Sequence, residues 1–193
     1  SPSVCSATDA DVKINGETTN NEFATAIAAD MNADGRTDLV VGAYRYGSYD
    51  GRVYIFFNDG SYPTTASSAD IILGGDVGAG SYFGSTILTV DMNGDGRSDL
   101  VVGARGYNTG QGRLYFYETR ENFAWQIQRQ PTSSGITRTS LSTAGQEIQI
   151  TGQTSSFFGV SLTTGDFNAD GKKDLAVGAN AYASSTGRVY IFY

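Results

Sequence analysis

The chain has 193 residues and a formal net charge of −7, from 20 acidic and 13 basic side chains. This charge argues against a nucleic-acid partner, because phosphate binding needs basic patches, and no stretch of about 18 apolar residues predicts a membrane span. Histidine is absent, which excludes Ser–His and Cys–His nucleophile systems. The single cysteine, Cys5, cannot form an intrachain disulfide, so it is a spectator thiol or an intermolecular link.

The first elements in chain order predict short strands separated by polar loops. Residues 10–16, ADVKING, alternate in polarity as a strand does. The pair Phe23-Ala24 is followed by an acidic loop, DMNADGRTDL, which begins at Asp30 and leads into the apolar run DLVVGA. Tyr46 and the segment Gly51–Tyr54, GRVY, come next. These β-branched and aromatic runs, bounded by Gly, Asn and Asp, predict strands rather than helices.

The same order of elements occurs three times, so the chain is an internal repeat. The acidic loop returns as DMNGDGRSDL from Asp91 and as DFNADGKKDL from Asp166, each between a Phe-Gly pair and a Gly-Arg-(Val/Leu)-Tyr segment. Each repeat holds four predicted strands, and four-stranded antiparallel units repeated in this way are typical of propeller blades. We expect an all-β protein, a β-propeller of three four-stranded blades in a single domain, 1–193. The expected repeats are about 23–78, about 83–154, and about 158–193 completed by the N-terminal strand 10–16.

The three acidic loops predict three calcium ions per chain. Ca²⁺ takes about six to eight oxygen ligands, and the loops offer side-chain oxygens at positions one, three, five and nine and a backbone carbonyl at position seven. The predicted ligands are Asp30, Asn32, Asp34, Arg36, Asp38; Asp91, Asn93, Asp95, Arg97, Asp99; and Asp166, Asn168, Asp170, Lys172, Asp174. An EF-hand is excluded, because Val41, Val102 and Val177 stand where its bidentate Glu belongs. For any one loop, an Asx-rich turn that binds no ion is the alternative.

Together, the Phe-Gly pair, the D-x-N-x-D-G-x-x-D loop, the Gly-Ala pair and the Gly-x-Val-Tyr strand resemble the FG-GAP repeats of integrin α subunits. The resemblance covers nearly the whole chain, from Asp11 to Tyr193. Tyr44, Arg105 and Asn180 stand where the family's Gly-Ala-Pro motif has proline. Similar repeats occur in secreted bacterial and fungal propellers, including some lectins. The resemblance implies a calcium-binding module that is secreted or at the cell surface.

Three equivalent tyrosines and one tryptophan are the candidates for ligand binding. Tyr46, Tyr107 and Tyr182 fall in the loops between the second and third strands, on the face opposite the calcium loops. Partners commonly use that face in proteins of the resembling family, although such rings also simply pack over blade ends. Trp125 lies in a long connection, 118–144, which is either a binding or assembly insert or a tolerated surface insertion.

Three classes of function are consistent with this pattern. The first is a non-enzymatic extracellular module for binding or adhesion, whose partner is a protein or a glycan. The second is a lectin with sugar sites repeated between the blades. The third is a carboxylate-based glycosidase or lyase, which is the weakest because no paired carboxylates at suggestive spacing occur outside the calcium loops. We expect that the protein is not an enzyme.

The phase of the repeat predicts a homodimer. The chain begins with a fourth-strand sequence and ends with a third-strand sequence. Propellers have about four to eight blades, so three blades do not close a ring. We expect Asp11–Ile14 of each copy to pair with Arg188–Tyr193 of the other, giving six blades by exchange of the N-terminal strand. The alternative is that the chain is part of a larger single-chain propeller.

Overall fold

The computed structural model describes residues 6–75, 80–119 and 148–193. In these residues the fold is all-β, with three antiparallel sheets. The first sheet contains β1 (Phe23–Ala29), β2 (Asp38–Ala43), β3 (Arg52–Phe56) and β4 (Ile71–Gly74) in that order. The second contains β5 (Phe83–Val90), β6 (Asp99–Ala104), β7 (Arg113–Tyr117) and β8 (Ile148–Thr151). The third contains β9 (Phe158–Gly165), β10 (Asp174–Ala179) and β11 (Arg188–Phe192).

The sheets are the expected blades, and the all-β prediction is confirmed. The three Asp-Leu-(Val/Ala)-Val-Gly-Ala runs form β2, β6 and β10, each in the interior of its sheet. Both faces of these strands are covered, which is why their sequences are continuously apolar. Each strand pairs with its neighbour in sequence, so the chain runs through each blade as a meander.

Two apolar cores lie between successive blades. Val53, Ile55 and Leu73 of the first blade pack with residues of the second that include Phe83 and Val102. The next core joins the second and third blades through residues that include Leu114, Phe158 and Val177. A blade therefore buries its apolar faces against its neighbours, as a single sheet cannot.

Each connection between the second and third strands of a blade contains a short left-handed turn that the sequence did not predict. The turns cover Tyr46–Tyr49, Tyr107–Gly110 and Tyr182–Ser185. In each, three consecutive residues have positive φ, from +61° to +74° in the first turn. The turn closes when the following glycine N–H donates to the tyrosine carbonyl, as from Gly51 to Tyr46 at 2.9 Å.

The third sheet has three strands in the described residues, which differs from the expected four. The N-terminal segment predicted as its fourth strand is not in a sheet: Ala7–Asp9 is a 3₁₀ turn, and Asn15 makes an isolated bridge to Thr65. Within one chain the segment lies against the first blade while β11 belongs to the third. Residues 10–16 therefore form no sheet with the described residues of one chain, and their pairing with β11 of a second copy stays a prediction.

Candidate calcium loops and the opposite face

The first acidic loop, between β1 and β2, brings three side chains together around one backbone amide. The N–H of Asp34 lies 3.2 Å from Oδ1 of Asp30 and 3.0 Å from Oδ1 of Asn32. Asn32 also donates its side-chain amide to Oδ2 of Asp34 at 3.1 Å. The oxygens at loop positions one, three and five are thus concentrated within one turn. The turn is completed at Gly35, whose φ of +82° favours glycine and whose N–H donates to Asp30.

The other two loops repeat this hydrogen-bond pattern atom for atom. In the second, the Asp95 N–H lies 3.1 Å from Asp91 Oδ1 and 2.9 Å from Asn93 Oδ1. In the third, the Asp170 N–H lies 3.0 Å from Asp166 Oδ1 and 2.9 Å from Asn168 Oδ1. Three separate segments with the same geometry indicate one local structure that the shared sequence specifies.

The aspartate at position nine is buried in all three loops, and in the first two blades it links the acidic loop to a second connection. Asp38 accepts from the N–H of Met31 and from the N–H of Asn58, both at 2.8 Å. In the second blade Asp99 accepts from Met92 at 3.0 Å and from Thr119 at 2.9 Å. Since Asn58 and Thr119 follow the third strand of their blades, this carboxylate ties the acidic loop to the connection after that strand. In the first two blades the two connections therefore lie at the same end, as the meander predicts.

Burial and hydrogen bonding shift two carboxyl groups in opposite directions. Burial raises the pKa of Asp99 above its usual range, although the Thr119 and Met92 N–H groups counteract the shift. Asp170 is exposed, and the backbone N–H of Lys172 is the main cause of its lowered pKa, followed by the amide of Asn168.

The donor set of each loop fits a calcium ion. All the predicted donors are oxygens, the class of ligand that Ca²⁺ prefers, and those at positions one, three and five are already close together. In the described residues, no group of three Asp, Glu, His or Cys side chains is arranged as a ready metal cluster. In the first loop, both oxygens of Asp38 accept from backbone amides. A carboxylate oxygen has a second lone pair, so Asp38 can keep an N–H bond and still bind an ion.

The three predicted ligand-binding tyrosines each carry an arginine over one ring face. The guanidinium carbon of Arg52 is 3.6 Å from the ring centroid of Tyr46, and Arg113–Tyr107 and Arg188–Tyr182 have the same separation. Each arginine is the one in its Gly-Arg-(Val/Leu)-Tyr segment, a pairing that the constant spacing could have suggested. One face of each ring is therefore used within its own blade. Trp125, most of the 118–144 connection and Cys5 lie outside the described residues.

A polar groove of about 440 Å³ lies on this face of the first blade. It is lined by Thr18, Thr19, Asn20, Asn21, Arg45, Gly47, Ser48 and Tyr49. Arg45 pairs with Glu22 at 2.7 Å, and its guanidinium lies 5.7 Å from the ring centroid of Tyr49. Sequence analysis did not predict this groove, because Arg45 is not repeated: Gly106 and Ala181 stand at the matching positions of the other two repeats.

The fold and the repeated acidic loops define a class of protein, the β-propellers built from repeated blades. Comparison with known families agrees: the FG-GAP repeat matches residues 23–56, 83–117 and 158–192, one match to each blade. The chain belongs to the FG-GAP repeat family.

Similar proteins include integrin α subunits. The chain is 33% identical to integrin alpha-3 of Cricetulus griseus over 115 residues, which cover 59% of the chain and 10% of that protein. It is 31% identical to integrin alpha-4 of Xenopus laevis over 157 residues, 79% of the chain and 13% of that protein. With integrin alpha-PS2 of Drosophila melanogaster it shares 31% identity over 172 residues, 86% of the chain and 11% of that protein. The chain is thus an integrin-like propeller module that spans about a tenth of these relatives. Among the described residues, no helix has the length and apolarity needed to cross a bilayer.

Proposed function

We propose that this module is an extracellular, non-enzymatic binding or adhesion propeller stabilised by three calcium ions. The observation that carries the proposal is the same convergence of oxygens in all three loops. In each loop a bound ion would be held by the side chains at positions one, three, five and nine and the backbone carbonyl at position seven. The ion would neutralise carboxylates that otherwise repel one another.

Calcium uptake by the chelator-treated chain tests this proposal. Extracellular modules bind Ca²⁺ with dissociation constants of about 10⁻⁴ to 10⁻³ M, so titration should extend to several millimolar. We expect three ions per chain and a rise in melting temperature, because a ligand that binds only the folded state stabilises it. A chain that takes up no calcium at these concentrations would contradict the assignment of all three loops.

The face opposite the calcium loops is the proposed binding face, with a protein as the partner. It carries the three tyrosines and the polar groove around Arg45. Arg45 is paired with Glu22, so the carboxylate of Glu22 balances the positive charge of Arg45 beside the groove.

A glycan is the second candidate ligand. It is favoured by the groove itself, where threonine, asparagine and serine side chains, donors and acceptors for sugar hydroxyls, lie beside the ring of Tyr49. A glycan array probed in calcium and in EDTA separates the two candidates. Binding that disappears with Arg45→Ala supports a sugar site in the groove, and hydrolysis of any glycan would contradict the non-enzymatic assignment.

We also propose that a second copy completes the propeller as a ring of six blades. The support is that β11 is an edge strand among the described residues and that residues 10–16 have a fourth-strand sequence. Each copy is 20.4 kDa, so the dimer has a mass of 40.8 kDa. Light scattering at micromolar concentration in calcium should give the dimer mass, and deletion of residues 1–16 should give the monomer. A monomeric intact chain would contradict the ring.

A further inference from the structure

Arg105 lies against two tyrosine rings that come from neighbouring blades. It directly follows β6, and its guanidinium carbon is 4.9 Å from the ring centroid of Tyr82 and 5.5 Å from that of Tyr44. Tyr82 directly precedes β5 of the second blade, whereas Tyr44 directly follows β2 of the first. Arg105 therefore lies where these two blades meet, on the face opposite the acidic loops.

The guanidinium of Arg105 has no hydrogen-bond acceptor among the described residues. The two ion pairs found there are Arg45–Glu22 and Arg52–Glu17, and the side-chain contacts of Arg105 are those with the two rings. None of its nitrogens is among the buried polar side-chain atoms that lack a partner, so solvent reaches them. An arginine carries five N–H donors. In a chain of net charge −7, Arg105 is thus a cation with no carboxylate paired to it in the described part of the chain.

The position next to Arg105 on the neighbouring strand carries a carboxylate in the first blade. There the two corresponding residues are Glu22 and Tyr44, and the Tyr44 hydroxyl donates to Glu22, which also pairs with Arg45 at 2.7 Å. Glu22 and Tyr82 have similar φ angles, +49° and +56°. Because Tyr82 stands where the first blade has a carboxylate, the second blade supplies a cation without the anion that would pair with it.

A carboxylate is the anion that fits a single arginine held in this way. Contact with ring faces restricts the guanidinium before any ligand binds, which lowers the entropic cost of binding. The N–H edge stays free, and its fork geometry matches the two oxygens of a carboxylate. A phosphate carries more charge and is usually bound by several cations. Arg45, which also lies near the Tyr44 ring, is already paired with Glu22.

Three tyrosine rings extend the surface beside Arg105. The ring centroids of Tyr44 and Tyr82 are 6.0 Å apart, and those of Tyr82 and Tyr49 are 5.1 Å apart. Tyr49 is 42% exposed. These four residues form the Arg105 cluster. Arginine and tyrosine are the residue types in which the binding energy of protein interfaces concentrates, and a row of rings suits apolar side chains on either side of an acidic one. The composition of the cluster therefore favours a protein segment as its ligand.

We propose that the Arg105 cluster binds the side-chain carboxylate of an aspartate or glutamate in a protein partner. Arg105 donates to both carboxylate oxygens, and apolar residues beside the acidic one cover the rings of Tyr44, Tyr49 and Tyr82. The ligand supplies the carboxylate that Glu22 supplies within the first blade. This inference rests on the proposed binding face and names the chemistry of what that face binds.

A pair of short peptides tests the ligand chemistry. The probes are an acetylated and amidated peptide with aspartate between two phenylalanines and its counterpart with asparagine, titrated by NMR into the ¹⁵N-labelled chain in calcium. The aspartate peptide should shift the Arg105 side-chain N–H signals at millimolar concentration, and the asparagine peptide should bind about tenfold more weakly or less, because it offers no charge. Equal affinity, or no binding of the aspartate peptide, overturns the proposal. Methyl glucuronide is the third probe, and tighter binding of this sugar acid than of the aspartate peptide would overturn the assignment to a protein ligand.

Substitutions borrowed from the other repeats test the site itself. Arg105→Asn introduces the residue of the third repeat, Asn180, and should raise the dissociation constant of the aspartate peptide about tenfold or more. Tyr82→Glu introduces the residue of the first repeat, Glu22, and should abolish binding, because its carboxylate occupies Arg105 from within the chain. Tyr82→Phe introduces the residue of the third repeat, Phe157, keeps the ring and should retain the affinity.

Lys173→Ser is the matched control on the other face. Lys173 is an exposed cation in the third acidic loop, and the second repeat has Ser98 at this position. The substitution removes the same charge as Arg105→Asn and should leave peptide affinity unchanged. Unchanged affinity in Arg105→Asn overturns the inference while the proposed binding face stands. Affinity that falls in Lys173→Ser and not in Arg105→Asn would place the ligand on the face of the acidic loops, and would contradict the binding face as well.

Discussion

Arg52 lies over the ring of Tyr46, with its guanidinium carbon 3.6 Å from the ring centroid. The two residues flank the left-handed turn between β2 and β3, and the same pair flanks the equivalent turn in the other blades. The stacking therefore fixes the two ends of a turn whose backbone conformation L-residues disfavour.

The stack should contribute measurable stability in each blade. In a double-mutant cycle with Tyr107→Leu and Arg113→Met, we expect a coupling free energy of about 0.5–2 kcal/mol in favour of the native pair. Urea unfolding of the four proteins measures it. Tyr107→Leu combined with Arg52→Met, in a different blade, is the control and should be additive within about 0.5 kcal/mol. Additivity of the Tyr107 and Arg113 substitutions would show that the stack contributes nothing.

The calcium loops should behave as three separate sites. Asp34→Ala, Asp95→Ala and Asp170→Ala should each remove one ion, leaving two per chain in isothermal titration, and each should reduce the calcium-induced rise in melting temperature. Asp59→Ala, an acidic position outside the loops, should leave all three ions in place. Loss of all the ions in a single variant would mean that the sites depend on one another.

Alkaline pH should destabilise the fold through Tyr54. Its buried hydroxyl donates to Glu17 at 2.8 Å, and burial followed by this hydrogen bond strongly raises the pKa of Tyr54. The unfolded chain loses this proton near the ordinary tyrosine value of about 10, while the folded chain retains it. Stability is therefore complete below about pH 10 and falls as pH rises above it. Urea unfolding from pH 8 to 11 should show a smaller decline for Tyr54→Phe than for Tyr193→Phe, the exposed control.

Glycine should relieve strain in the third left-handed turn. Ala183 has φ of +48°, and the first repeat has Gly47 at this position. We expect Ala183→Gly to raise the free energy of unfolding by roughly 0.5–1 kcal/mol, because the steric cost of this conformation exceeds the entropic cost of glycine. Thermal unfolding measures the change. Ala179→Gly, in β10, is the control and should destabilise. A loss of stability in Ala183→Gly would mean that the methyl group makes a contact that outweighs the strain.

The sequence predicted most of the blade architecture because its signals are local and repeated. Asp-Leu-Val-Val-Gly-Ala marks the interior strand in all three blades, and β2, β6 and β10 have the predicted bounds. The turns of the three acidic loops were likewise visible as a spacing of oxygen-bearing side chains, whereas calcium binding by these loops stays a prediction. In such cases residues that are close in the sequence determine the structure, so a short stretch of sequence is enough to predict it.

Contacts between distant segments were not predictable in this way. The spacing suggested Asp38 as an ion ligand, but not that its oxygens would bind amides on two separate loops. The N-terminal segment has a strand sequence, yet it lacks a partner edge within one chain and remains outside a sheet. The left-handed turns depend on hydrogen bonds across the turn and on the arginine stack, which residue preferences alone oppose.

The junctions between blades also bear on how such a protein changes length. Where the first two blades meet, Ser81 Oγ donates to the Asp50 carbonyl and the Tyr82 N–H to the Tyr49 carbonyl, and a Cβ on Gly51 would overlap the main chain of Phe83. Main-chain atoms are the same in every repeat, so any blade can pack beside any other without compensating substitutions. Duplication of a single repeat within the gene would therefore insert a blade whose two sides already fit its neighbours, and evolution can alter the number of blades in a single step.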